Sequence, residues 1–238
     1  MDRKAIDLTL VRKALAKHND LKELVDAIRK YEAASSVLAE LSDVIVALDA
    51  IAEIQTNAMA RSKFSGSLMV DAVVTYCRAT HSKGAARGHI GATKRYTTAQ
   101  MEKHRRIVDL RDKVFAHQGF PSEEHGLRWL DERAVVKLVG GDGILSFNRT
   151  RANYLAAAVE DLRELVAIAA ATAKSLSEER GMSVHEVHLK HADDPRVMEA
   201  IRASPFDPYD FFGPGQDADE FWDIAHGKRG EILRNSDR

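Results

Sequence analysis

From about Ala33 to Ala60 the chain contains neither glycine nor proline, and Leu38, Leu41, Ile45, Leu48, Ile51 and Ile54 recur every three or four positions. That spacing lays one apolar stripe along a 3.6-residue helix; on a strand it would scatter over both faces. A helix of this length draws its stability in water mainly from packing that stripe, so the chain must supply other helices to cover it.

It offers several. Residues 4–18 place Ile6, Leu8, Leu10, Val11 and Leu15 at helical spacing, and Asp20 suits the N-cap of a helix through Leu21, Leu24, Val25 and Ile28. Ser65 or Ser67 opens a helix through Met69, Val73 and Tyr76 to about Thr80. Thr97-Thr98-Ala99-Gln100 reads as a capping box for a helix through Met101, Ile107, Leu110, Val114 and Phe115, ended by Gly119 and Pro121. Arg133–Val139 and Ile144–Asn148 look like strands joined by Gly140-Gly141-Asp142-Gly143, a strong hairpin signal. Asn153 to about Glu179 is Ala- and Leu-rich helix; Ser183-x-x-Glu186 starts a shorter helix and Asp194-Pro195 another. The expected fold is therefore mainly α: an up-and-down helical bundle with a small β-hairpin (about 133–148) inserted after the helix that ends near 118. The bundle takes residues 1–180. Residues 181–238 form a C-terminal helical extension, acidic and rich in aromatics.

Charge is unevenly spread. The formal net charge is −1, yet residues 78–117 hold ten Lys or Arg against three acids, and residues 204–238 hold four against eight. The first stretch reads either as a solvated basic surface or as a polyanion-binding face. Within it, the glycine-rich loop of residues 81–96 carries Lys83, Arg87, Lys94 and Arg95. Gly84-x3-Gly88-x2-Gly91 has the wrong spacing for a phosphate loop and no Lys-Ser/Thr after it. In the last stretch Phe206, Tyr209, Phe211, Phe212, Phe221 and Trp222 are costly to leave in water, so this region is expected to dock by its rings.

A single cysteine, Cys77, leaves no internal disulfide and no multi-cysteine metal site. His185, His188 and His191 fan out around a helix and do not converge as zinc ligands. No metal or cofactor is expected. The charged N-terminus lacks a signal-like apolar segment, and no apolar run reaches the ~18 residues of a membrane span. These features lead to the expectation of a cytoplasmic protein with no membrane contact.

The chemistry points to Leu110-Arg111-Asp112-Lys113-Val114-Phe115-Ala116-His117-Gln118-Gly119. Arg111 brings a permanent cation with a planar donor fork, and His117 a group that exchanges protons near neutrality. Arg12/His18 and Arg180/His185 have similar spacing, but the first lies among charges in a short segment and the second is split by Gly181. Only Arg111/His117 combines an acidic residue after the arginine, an apolar lead-in and a long helix.

This stretch resembles the Arg-polar-x(3–5)-His signature of HEPN-domain proteins, and Tyr76-Cys77-Arg78 on the preceding helix resembles the aromatic-x-Arg pair of the abortive-infection and toxin-like branch. The resemblance covers about residues 34–120. It implies a bundle of four or five helices, a homodimer facing across the motif helix, and metal-independent cleavage of RNA by a toxin or defence protein. An antitoxin or other partner protein is among the implied partners. Catalysis would fall to Arg111 and His117, with Asp112, which stands where catalytic members often carry Asn, orienting one of them. RNA contacts would come from Arg78, Lys83, Arg87, Lys94, Arg95 and His104. Residues six apart on an ideal helix differ by about 120° in direction and ~9 Å in height, so two chains are needed to bring an arginine and a histidine together.

Blander readings remain open. Arg111 pairs with Asp112, Asp109 or another acid while His117 caps the helix; Tyr76 and Arg78 serve the bundle; Cys77 is a small buried apolar residue; His104, with Arg105 and Arg106, lies on a solvated face. The functional alternative to the ribonuclease is a catalytically inactive helical dimer that binds nucleic acid or a partner protein.

Overall fold

A computed structural model of the protein describes residues 4–81, 89–115, 129–140, 142–213 and 221–222. Among them are seven α-helices: α1 (Leu8–Leu15), α2 (Lys22–Ile54), α3 (Ala58–Thr80), α4 (Thr98–Asp109), α5 (Ala156–Lys190), α6 (Pro195–Arg202) and α7 (Pro208–Phe212). One antiparallel hairpin joins β1 (Leu130–Val139) to β2 (Asp142–Arg151). The fold is mainly α with a small β-hairpin insertion, as the periodicities predict. No helix among the described residues is long and apolar enough to cross a membrane.

The chain divides into two compact units, residues 31–180 and residues 1–30 together with 181–238. The first thirty residues group with the C-terminal segment and not with the residues that follow them. In that unit Asp7 N–H donates to Ser204 O at 2.9 Å and Phe206 N–H to Ala5 O at 3.0 Å, so residues 5–7 form a short bridge where the spacing suggested helix. Asp194 caps α6 through the Arg196 amide, and Pro195 occupies its first turn. The Arg196 guanidinium bonds both Asp194 and Asp20 and holds each carboxyl below its usual range. Phe206, Phe211, Phe212 and Phe221 cluster with ring centroids 5.0–6.4 Å apart, and Trp222 stacks edge-on to Phe221, so these rings pack on one another.

The larger unit holds the main core. Val37, Leu41, Val44, Leu48 and Ile51 of α2 follow steps of three and four, all buried. They share one cluster with Met69, Val73, Tyr76 and Cys77 of α3, Ile107 of α4, and Leu162, Leu165, Val166 and Ala169 of α5. Each fully buried leucine contributes about 2 kcal/mol relative to exposure.

The strands run longer than the expected 133–139 and 144–148, and three helix junctions also differ from the sequence reading. The two helices expected around residues 21–28 and 33–60 are one, because nothing between Ile28 and Ala34 breaks the stripe. That helix stops at Ile54 and α3 begins at Ala58, well before Ser65: Asn57 Oδ1 accepts from the Met59 and Ala60 amides and so starts the new helix. Gly181 does not end α5, which continues to Lys190; buried Val184 and Val187 outweigh the ~1 kcal/mol cost of a helical glycine.

Ten residue pairs run from Leu130↔Arg151 to Val139↔Asp142, which leaves two residues for the turn. Gly140 has φ +64°, the left-handed conformation that such hairpin turns require. The root is anchored: Trp129 and Leu130 are buried, and Trp129 O accepts from Ala152 N–H at 2.8 Å. Beyond the root the ribbon is largely exposed.

Candidate functional site

The capping box starts α4 as its sequence suggests. Thr97 Oγ1 accepts from Gln100 N–H at 3.3 Å and the Gln100 side chain accepts from Thr97 N–H at 2.9 Å. After Asp109 the helix widens. Leu110–Phe115 is π-helical, with Leu110 and Val114 buried and Arg111 and Asp112 partly exposed between them. The Arg-Asp step of the motif thus falls on a short π segment, a conformation found mostly as single turns and often at functional sites.

Arg111 Nε lies 2.7 Å from Asp112 Oδ1, and its side chain is 29% exposed. Among the described residues that Nε–H has no aligned acceptor, so the contact is an ion pair without a hydrogen bond. One of the readings left open for Arg111, pairing with Asp112, is therefore the arrangement observed. Both charges also reach Cys77 on α3, where they oppose one another, and burial pushes that thiol up to about 12. Arg111, Asp112 and the Tyr76-Cys77-Arg78 step are thereby brought to one region of the bundle. His117, Lys83 and Arg87 lie outside the described residues.

The remaining residues expected to hold RNA separate by environment. Lys94 and Arg95 are exposed. Arg78 is half exposed and donates to Glu40 at 2.5 Å. Its neighbours on the basic stretch are similarly engaged: Lys103 with Asp161 and Glu164, Arg106 with Asp161, and Lys113 with Asp109. Among the described residues, three of the ten cations of residues 78–117, Arg78, Lys103 and Arg106, are thus matched by acids from α2 and α5, on which the sequence count was silent.

His104 is not on a solvated face. It is 5% exposed, its Nδ1 lies 2.8 Å from the Tyr76 hydroxyl, and that hydroxyl lies 3.0 Å from the hydroxyl of Tyr96. Tyr96 in turn donates to Leu165 O at 2.7 Å. Burial, then the charges of His81, Arg105 and His89, lower the His104 pKa to about 4, so the ring is neutral near pH 7. A contact with polyanion at this side chain would require opening the core. Sequence missed this because Lys103 and Arg105 flank it, while its partners come from two other segments.

The hairpin root adds residues that sequence reasoning passed over. A cavity of about 230 Å³ is bounded by Val70, Val114, Phe115, Trp129, Leu130, Arg149 and Arg151. Phe115 packs on Trp129 with centroids 4.7 Å apart, and the Arg151 guanidinium sits 5.3 Å from the Trp129 ring centroid. The signal was present as the alternation Leu145, Phe147, Arg149, Arg151, which puts two cations and an aromatic on one face of β2. No protein-family model, curated protein or solved structure matches this chain.

Proposed function

We propose that the protein is a metal-independent endoribonuclease that uses Arg111 and His117 and acts as a homodimer across the motif helix. The observation that carries the reading is the placement of Arg111 and Asp112 on a partly exposed π-helical turn packed against α3. His117 enters through the sequence resemblance. In the proposed reaction the ribose 2′-oxygen attacks phosphorus and the bond to the 5′-oxygen breaks. The products are a 2′,3′-cyclic phosphate and a 5′-hydroxyl. His117 takes the 2′-hydroxyl proton or returns one to the leaving oxygen, and Arg111 offsets charge on the phosphoryl oxygens. Asp112 holds the Arg111 guanidinium until a phosphate competes for it. Toxicity or defence against infection, with an antitoxin as partner, is the biological setting that accords with this chemistry.

A second reading is a non-catalytic dimer that binds nucleic acid or a protein. It is favoured by the Arg111–Asp112 ion pair, which already neutralises the arginine. Incubation of the purified chain with RNA in EDTA separates the two. The ribonuclease reading requires cyclic-phosphate products that disappear with His117→Ala and with Arg111→Ala; inert wild-type protein, or cleavage surviving both substitutions, refutes it.

A further inference from the structure

We infer that the outer face of β2 and the cavity at its root form a binding track for single-stranded RNA, with Arg149 and Arg151 taking successive backbone phosphates and Phe147 stacking a base. This deepens the ribonuclease reading and rests on it for the choice of RNA over other polyanions. The strand alternation sends residues 145, 147, 149 and 151 to one face, about 7 Å apart. Cross-strand contacts agree with that alternation: Arg149 meets its partner Glu132 at 3.2 Å, and a Cβ on Gly143 would lie 3.3 Å from Val136 Cγ1.

Three observations point to a nucleic acid. Phe147 is 67% exposed near the middle of a ribbon, where an aromatic face is open for stacking. Arg149 and Arg151 are both exposed, and among the described residues no acid lines the cavity that they border. Arg151 lies over Trp129 with its guanidinium carbon 5.3 Å from the ring centroid, a contact that restrains the cation at the edge of the cavity, where its in-plane N–H groups suit a phosphate. The track leads to the motif: Val114 and Phe115 of the π turn line the same cavity, so a strand laid along Phe147, Arg149 and Arg151 arrives at the segment that carries Arg111 and Asp112. Glu132 shares Arg149 with the solvent-exposed rim, a contact that a phosphate would replace.

The test is equilibrium binding of a labelled single-stranded RNA of about a dozen nucleotides to the full chain carrying His117→Ala, which prevents turnover during the titration. Arg149→Ala should weaken binding about tenfold at low salt, and the double variant with Arg151→Ala should weaken it further. The double variant should also reduce the slope of log affinity against log salt by about 1.4, two phosphates' worth for a single strand. Arg149→Lys should retain most of the salt slope. Phe147→Ala should weaken binding without altering the slope. Because Arg151 packs on Trp129, the double variant can unfold; Arg149→Ala and Phe147→Ala, both at exposed positions, then decide between the outcomes. Unchanged affinity and slope in Arg149→Ala overturn the inference, as does absence of RNA binding by the parent chain. A Phe147→Ala variant that alters sedimentation but not RNA affinity also overturns it and makes the ribbon a protein-docking surface. RNA cleavage that depends on Arg111 but not on Arg149 or Phe147 removes the track and leaves the ribonuclease standing. RNA binding that depends on Arg149 in a chain that cleaves nothing does the reverse.

Discussion

The Tyr76 hydroxyl lies 2.8 Å from His104 Nδ1, and the protons along that line can be assigned. Tyr96 has one hydroxyl proton and a carbonyl oxygen, Leu165 O, at 2.7 Å, so the proton must lie between them. Tyr96 is then an acceptor for Tyr76, 3.0 Å away, which uses the only proton Tyr76 has. His104 must therefore donate from Nδ1 to the Tyr76 oxygen. The result is a one-way chain from α4 through α3 and the segment before α4 to α5, with His104 Nε2 as the ring's unprotonated nitrogen. Burial raises the Tyr96 hydroxyl to about 12 and Tyr76 above its ordinary value, so neither ionises near neutrality.

Tyr76→Phe deletes the middle member of this chain. The Nδ1–H of His104 then loses its acceptor inside the core. The expected loss is about 1–3 kcal/mol of unfolding free energy, read from the urea midpoint with the slope unchanged. A midpoint equal to that of the parent would show that water or a tautomer shift replaces the bond.

Stability should also fall on mild acidification. The folded-state pKa of His104 is lowered to about 4, against about 6.5 for an unperturbed histidine, so between these values the unfolded chain binds the extra proton. The contribution is fully present above about pH 6.5, declines as pH falls, and levels off below about pH 4. It amounts to roughly 2–3 kcal/mol across that window. Urea midpoints measured through the range for the parent and for His104→Gln should differ in slope, the variant being flatter. Parallel curves would assign the acid sensitivity to other groups.

Cys77 should be silent toward thiol reagents in the native state. It is fully buried, and burial pushes its pKa up to about 12. Labelling at pH 8 should follow the rate of opening of the bundle and become fast in denaturant. Rapid stoichiometric labelling of folded protein would mean that the α3 face beside Arg111 opens locally.

Asp112→Asn addresses the ion pair directly. Removing the carboxylate frees the Arg111 charge for phosphate, so RNA cleavage should persist or rise. A loss of cleavage as large as that in Arg111→Ala would instead give Asp112 an orienting role that the amide cannot fill.

Several features were legible because a local rule decides them. Thr97 and Gln100 cap α4 with atoms three residues apart, Asp194-Pro195 starts α6, and Gly140 takes the left-handed conformation that the hairpin turn needs. The break at Asn57 was hidden because asparagine caps a helix without the glycine or proline that usually marks an interruption. Gly181 misled in the other direction, since the packing of Val184 and Val187 overrides a modest local cost. The site was half legible. Arg111 and Asp112 stood out by type and spacing, but the burial of His104 depends on Tyr76, twenty-eight residues away. The acids on α2 and α5 that pair with Arg78, Lys103 and Arg106 become neighbours only in the folded bundle.

The widened turn at Leu110–Phe115 also sets an angular phase. Each α-helical residue advances the facing direction by about 100°, and a segment bonded i to i+5 advances by less. Leu110 and Val114, four apart, face the core as they would in an α-helix, but the smaller step brings Arg111 and Asp112 closer in direction on the outer side. Deleting one residue here and restoring α geometry would keep the chemistry of every remaining side chain but widen the angle between the directions of Arg111 and Asp112. The length of this stretch thus fixes how the arginine and the aspartate are presented together, a property that neither residue's identity sets alone.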